Sequence, residues 1–81
     1  MVSKLVACKE FTLILLESGG VYVLGDNGNY QLGTGDVQSH LTPFLNLFLT
    51  GITGVGCGAY HSFFWNSTGV YGAGQNIVRF L

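Results

Sequence analysis

The feature that most constrains this chain is that it contains itself. Shifted by 49 positions, it falls on identical residues at Val6/Val55, Cys8/Cys57, Ser18/Ser67, Gly20/Gly69, Val21/Val70, Tyr22/Tyr71, Gly25/Gly74, Asn27/Asn76 and Leu32/Leu81. These identities run from Val6 to Leu32 without a gap; Phe11 over Tyr60 is conservative, and Leu13 over Ser62 is a mismatch. The 81 residues thus hold one unit, residues 1–49, and an incomplete second, residues 50–81. A fixed period of this size marks a repeat architecture, in which each unit buries its apolar face only by stacking on a neighbour.

Each unit reads as short strands. Thr12–Leu16 and Val21–Leu24 are β-rich runs around the turn signal Ser18–Gly20, and the second run ends at Gly25. The second copy repeats the order with His61–Trp65, the turn Asn66–Gly69, Val70–Ala73 and Gly74. A further candidate precedes each pair, Lys4–Cys8 and Ile52–Cys57, and Pro43 leads into the apolar run Phe44–Leu49, ambiguous by length. Three to four strands per unit is the arithmetic of a propeller blade. The expected fold is all-β, about one and two-thirds repeats of a β-propeller.

Composition narrows the function. Three bases against four acids cannot track a phosphate backbone, so no direct nucleic-acid binding is expected of this segment. From Val37 to Val78 there is no Asp, Glu, Lys or Arg, which points to a surface packed against something else. No apolar stretch approaches the roughly 20 residues that span a bilayer, and no secretory signal is visible. Two cysteines are too few for a disulfide scaffold, so a reducing compartment, cytoplasm or nucleus, is expected. As repeat equivalents in blades that diverge outward, Cys8 and Cys57 are expected to be buried free thiols.

Motifs that resemble chemical sites read better as structure. Gly54-Val55-Gly56-Cys57-Gly58-Ala59 matches a nucleotide-binding fingerprint, but a strand follows it instead of a helix, and no acid lies downstream. Cys57 and His61 are four apart, yet Cys8 has only Lys9 and Glu10 beside it, which is poor spacing for zinc. Asp26-Asn27-Gly28-Asn29 lacks the acidic pattern of a calcium loop, and Asn66-Ser67-Thr68 is a turn before it is a glycosylation sequon. His40 belongs to a polar loop, solvated. Gln31 can satisfy loop backbone, Leu32 can plug a core, and Gly33 permits a left-handed turn. Gly25 and Gly74 end strands where backbones approach closely. No catalytic, cofactor or metal site is expected.

Gly25-Asp26-Asn27-Gly28-Asn29-Tyr30-Gln31-Leu32-Gly33-Thr34-Gly35-Asp36, followed by Leu41-Thr42-Pro43, resembles the signature of the regulator of chromosome condensation repeats. Val55-Gly56-Cys57-Gly58-Ala59-Tyr60-His61-Ser62, followed by Gly69-Val70-Tyr71, resembles the family's Gly-rich segment ending in His-Ser/Thr. Three departures mark a divergent member. Tyr30 stands where the family usually has Gly, Lys9-Glu10-Phe11-Thr12 lacks the Gly-x-x-His arrangement, and Arg79 and Phe80 replace Gly and Gln.

The resemblance implies a seven-bladed propeller, whose seven units would need about 343 residues. It implies structural roles for Gly25, Asn27, Gln31, Leu32, Gly33 and Pro43, and for Gly58, His61, Gly69, Gly74 and Asn76 in the second copy. The function expected is a non-catalytic protein–protein interaction scaffold, its partners being proteins or further blades in cis or in trans, with no membrane. The alternative is part of a guanine-nucleotide exchange factor for a Ran-like small GTPase, associated with chromatin, which would require the complete propeller. A kelch-like propeller fits less well, because Gly19-Gly20 becomes Thr68-Gly69 and Trp65 precedes the glycine.

Overall fold

The computed structural model describes residues 1–74 and, by its backbone alone, the strand 77–80. Among the described residues every regular element is a strand. These are β1 (Val2–Ala7), β2 (Phe11–Leu16), β3 (Val21–Gly25), β4 (His40–Leu45), β5 (Gly54–Cys57), β6 (His61–Asn66), β7 (Gly69–Gly74) and β8 (Ile77–Phe80). They form two antiparallel sheets, β1-β2-β3-β4 and β5-β6-β7-β8, with each strand paired to its neighbours in chain order. Four-stranded meanders stacked face to face are propeller blades. The second sequence unit is short, yet its sheet has four strands. Gly74 pairs with Ile77 almost at once, whereas β4 is reached only after residues 26–39.

Alternation along the strands sets the faces. Phe11, Leu13 and Leu15 of β2 are buried with Val21 and Val23 of β3, while Thr12, Ile14 and Leu16 are half-buried. The buried side of the first blade, its leading face, packs on the second blade, where Val55, Ser62, Phe64 and Ala73 are buried. Leu32, Leu49 and Ile52 complete this single core.

Backbone bonds define which residues of the two blades correspond. Cys8 N donates to Phe11 O at 2.8 Å and Gly58 N to His61 O at 3.0 Å, so the turns Lys9-Glu10 and Ala59-Tyr60 match. Phe11 pairs with Gly25, and His61 with Gly74. Phe11 therefore stands in the place of His61, Leu13 in that of Phe63 and Leu15 in that of Trp65, a shift of 50 rather than 49 over β1 and β2. The next turn absorbs the difference. Glu17-Ser18-Gly19 has three residues, with Gly19 at φ 92°, while Asn66 pairs directly with Gly69 across Ser67-Thr68. Glycine takes that left-handed position cheaply, and Thr68 in its place would not.

Two expectations are corrected, and one ambiguous run is resolved. Cys8 and Cys57 are not free thiols but are disulfide-bonded, with Cα atoms 6.1 Å apart. The sequence identity does not place them at matching positions, because Cys57 corresponds to Ala7 and Cys8 to Gly58. Blades diverge outward, but β1 and β5 pack against each other, and the two cysteines lie at the ends of those strands. His40 is not in a loop: it opens β4 and stacks on Phe44 with ring centroids 4.1 Å apart. The run Phe44–Leu49 is strand only to Leu45, because Asn46 turns the chain, its Oδ1 accepting from Phe48 N at 2.9 Å. Pro43 sits in β4, an edge strand, where a missing N–H is tolerated.

Candidate functional site

The signature residues of the first blade converge on the loop between β3 and β4, and the loop seals the junction with the second blade. Asn27 is its hub. Fully buried, its Nδ2 lies 2.9–3.1 Å from four oxygens: Thr34 Oγ1, Asp36 O, Asp36 Oδ1 and Gln38 O. An amide has only two N–H groups to share among them. Asn27 Oδ1 accepts from Leu32 N at 2.9 Å, and Ser39 Oγ accepts from Asn27 N at 3.0 Å. One side chain thereby ties both ends of the loop together.

Gln31, fully buried, accepts from Asn29 N at 2.8 Å and donates to Asp26 Oδ2 at 3.3 Å. Its carbonyl accepts from Ser62 Oγ of the second blade. Leu32 enters the core, and Gly33 at φ 71° lets the chain turn beneath Phe64. A Cβ on Gly33 would meet the Phe64 ring at 3.3 Å. Tyr30 also adopts a left-handed conformation, φ 61°, and is the one non-glycine among the described residues to do so. The Thr34 hydroxyl, with the N–H of Gln38, holds the exposed Asp36 carboxyl below the ordinary carboxylate range.

The remaining signature residues shape the blades. Gly25 at φ 112° and Gly74 at φ 144° close on backbone: a Cβ would stand 2.6 Å from Glu10 O and 2.3 Å from Tyr60 O respectively. Gly58 begins the β5–β6 turn, His61 opens β6, and Gly69 N donates to Asn66 Oδ1 at 3.2 Å in the next turn. Asn76 lies outside the described residues. Cys57 is spent in the disulfide, and no three His, Cys, Asp or Glu converge among the described residues.

Sequence reasoning missed three residues that matter. Asn46, buried, donates from Nδ2 to Leu32 O and Gly33 O at 3.1 and 3.0 Å, and so clamps the same loop. A lone amide within Phe44–Leu49 was the available signal. Ser62 carries a buried hydrogen bond between the blades. Trp65 lies across β5: a Cβ on Gly54 would stand 2.2 Å from its indole and one on Gly56 3.5 Å away.

Both blades leave one face open. On the first blade the trailing face carries Leu5, Thr12, Ile14, Tyr22 and Leu24. On the second, the leading face carries His61, Phe63, Trp65 and Val70. Leu5, Trp65 and Val70 are exposed, at 59%, 39% and 37%.

No curated protein matches the chain. The family model of the regulator of chromosome condensation (RCC1) repeat matches residues 18–65, more than half of it. That span contains the loop with its Asn27 hub, the junction with Ser62 and the strand carrying Trp65. With this match, the chain belongs to the RCC1 repeat family, a family of non-catalytic propeller repeats.

Proposed function

We propose that this chain is a non-catalytic pair of propeller blades that works as a protein–protein interaction scaffold through its open blade faces. One observation carries the reading. The buried amides of the signature loop, Asn27 and Gln31, are bonded within the loop and its junction, while the described side chains left outward on both flanking faces are mostly apolar and include no Asp, Glu, Lys or Arg. Exposed apolar faces on stacked sheets are association surfaces. With three bases in the whole chain, the partner is protein rather than nucleic acid.

A photo-crosslinking residue at Leu5 or at Val70, in the full natural polypeptide in cells, tests this. Crosslinks to protein, whether within a longer polypeptide or to another chain, are expected from both positions and not from Gly28 on the loop. Crosslinks from Gly28 alone would overturn the reading.

A further inference from the structure

We propose that copies of this chain stack head to tail, the leading face of the second blade in one copy seating on the trailing face of the first blade in the next. The proposal rests on the interaction reading above and names its partner as a second copy of the chain. The observation behind it is the correspondence set by the backbone. Phe11, Leu13, Leu15 and Val21 form the leading face of the first blade, and they correspond to His61, Phe63, Trp65 and Val70. Leu5, Thr12, Ile14, Tyr22 and Leu24 on the first blade's trailing face correspond to Val55, Ser62, Phe64, Tyr71 and Ala73 on the second's. The chain therefore joins these two strand faces once internally, where the β3–β4 loop also seals the junction, and carries the counterpart strand faces on the outer sides of its two blades.

The chemistry of the outer halves fits. Among the residues whose side chains are described, neither half contains an Asp, Glu, Lys or Arg, so joining those residues buries no such charge. The trailing half offers Leu5, Ile14 and Leu24 to the aromatic pair Phe63 and Trp65. Such a contact is heterologous: the surface on one copy differs from the surface it meets. It closes into a ring or extends into a filament, according to the rotation per copy.

The single tryptophan of the chain lies on the proposed interface, which gives a direct probe. On raising the concentration of the purified protein, Trp65 emission should move to shorter wavelength while light scattering reports species above monomer mass. Ile14→Lys spoils one face and leaves Trp65 untouched; it should abolish both changes with the β-sheet circular dichroism retained. Trp65→Lys spoils the other face. An equimolar mixture of the two variants retains one intact pair of faces and should stop at a one-to-one dimer, where each alone is monomeric. A folded wild-type monomer at every concentration would overturn self-stacking. So would association that survives both substitutions. Either result leaves the scaffold reading standing where Leu5 and Val70 still crosslink to a different protein.

Discussion

At the residue scale the molecule concentrates its specificity in a few polar side chains of one loop. Asn27 shows how little tolerance there is. Asn27→Asp would set a carboxylate oxygen where four oxygens now surround a donor nitrogen. Leaving those acceptors unpaired and adding a like partial charge should cost more than about 2 kcal/mol in urea denaturation at neutral pH. The new carboxyl is disfavoured in its charged form, so its pKa rises on folding. The penalty should therefore be small below the ordinary carboxylate pKa and grow as pH rises through the raised folded value. Tyr30 offers the opposite case. It holds a left-handed conformation with its ring partly in solvent. Tyr30→Gly should stabilise the fold by about 1 kcal/mol, the relieved backbone strain exceeding the added freedom of the unfolded chain. A lower denaturation midpoint would show that the Tyr30 ring contributes more packing than its exposure indicates.

At the level of elements, strand order and the positions of the closing glycines were legible, and register was not. Alternation in Phe11–Leu16 and His61–Asn66 and the breaks at Gly25 and Gly74 follow from side-chain period and backbone sterics, which a sequence displays. The one-residue offset between blades is invisible because identities at Val6/Val55 and Cys8/Cys57 favour the ungapped alignment. What decides it is turn chemistry, Gly19 against Thr68. His40 and Asn46 escaped for a related reason: the strand they bound is defined by pairing with β3 and by an Asn side-chain turn, neither of which shows in hydropathy. The turn difference makes a prediction at this scale. Gly19→Thr would place a β-branched residue at φ 92° and drive its Cβ to 2.8 Å from Gly51 Cα, where Ile52 N bonds Gly19 O at 3.0 Å. It should destabilise by about 2–3 kcal/mol, from the strained backbone plus the displaced linker. Thr68→Gly, at a turn that needs no left-handed residue, should cost under about 1 kcal/mol. Equal effects in thermal melts would mean that the two turns share one geometry.

For the whole molecule, the question is what holds two small blades together when one face of each is open. A chain of this size buries too little surface for its core to be more than marginal. The Cys8–Cys57 bridge links the ends of the first strands of both blades across 49 residues of sequence. Closing a loop of that length removes unfolded-state entropy equivalent to about 4 kcal/mol on the chain-entropy account. That is a large fraction of the stability expected for so small a domain. The bridge is also at odds with a reducing compartment, where thiols stay open. Reduction, or the substitutions Cys8→Ser and Cys57→Ser, should lower the unfolding free energy obtained from urea denaturation by most of that amount and loosen the β1–β5 seam first. Lys9 and Tyr60 report on that seam, since Lys9 Nζ lies 3.4 Å from the Tyr60 hydroxyl. In hydrogen exchange with and without reductant, β1 and β5 should lose protection before the β6–β7 hairpin does. Uniform loss across both sheets would instead show the blades melting as one unit, with the Asn27 loop, not the disulfide, carrying the coupling between them.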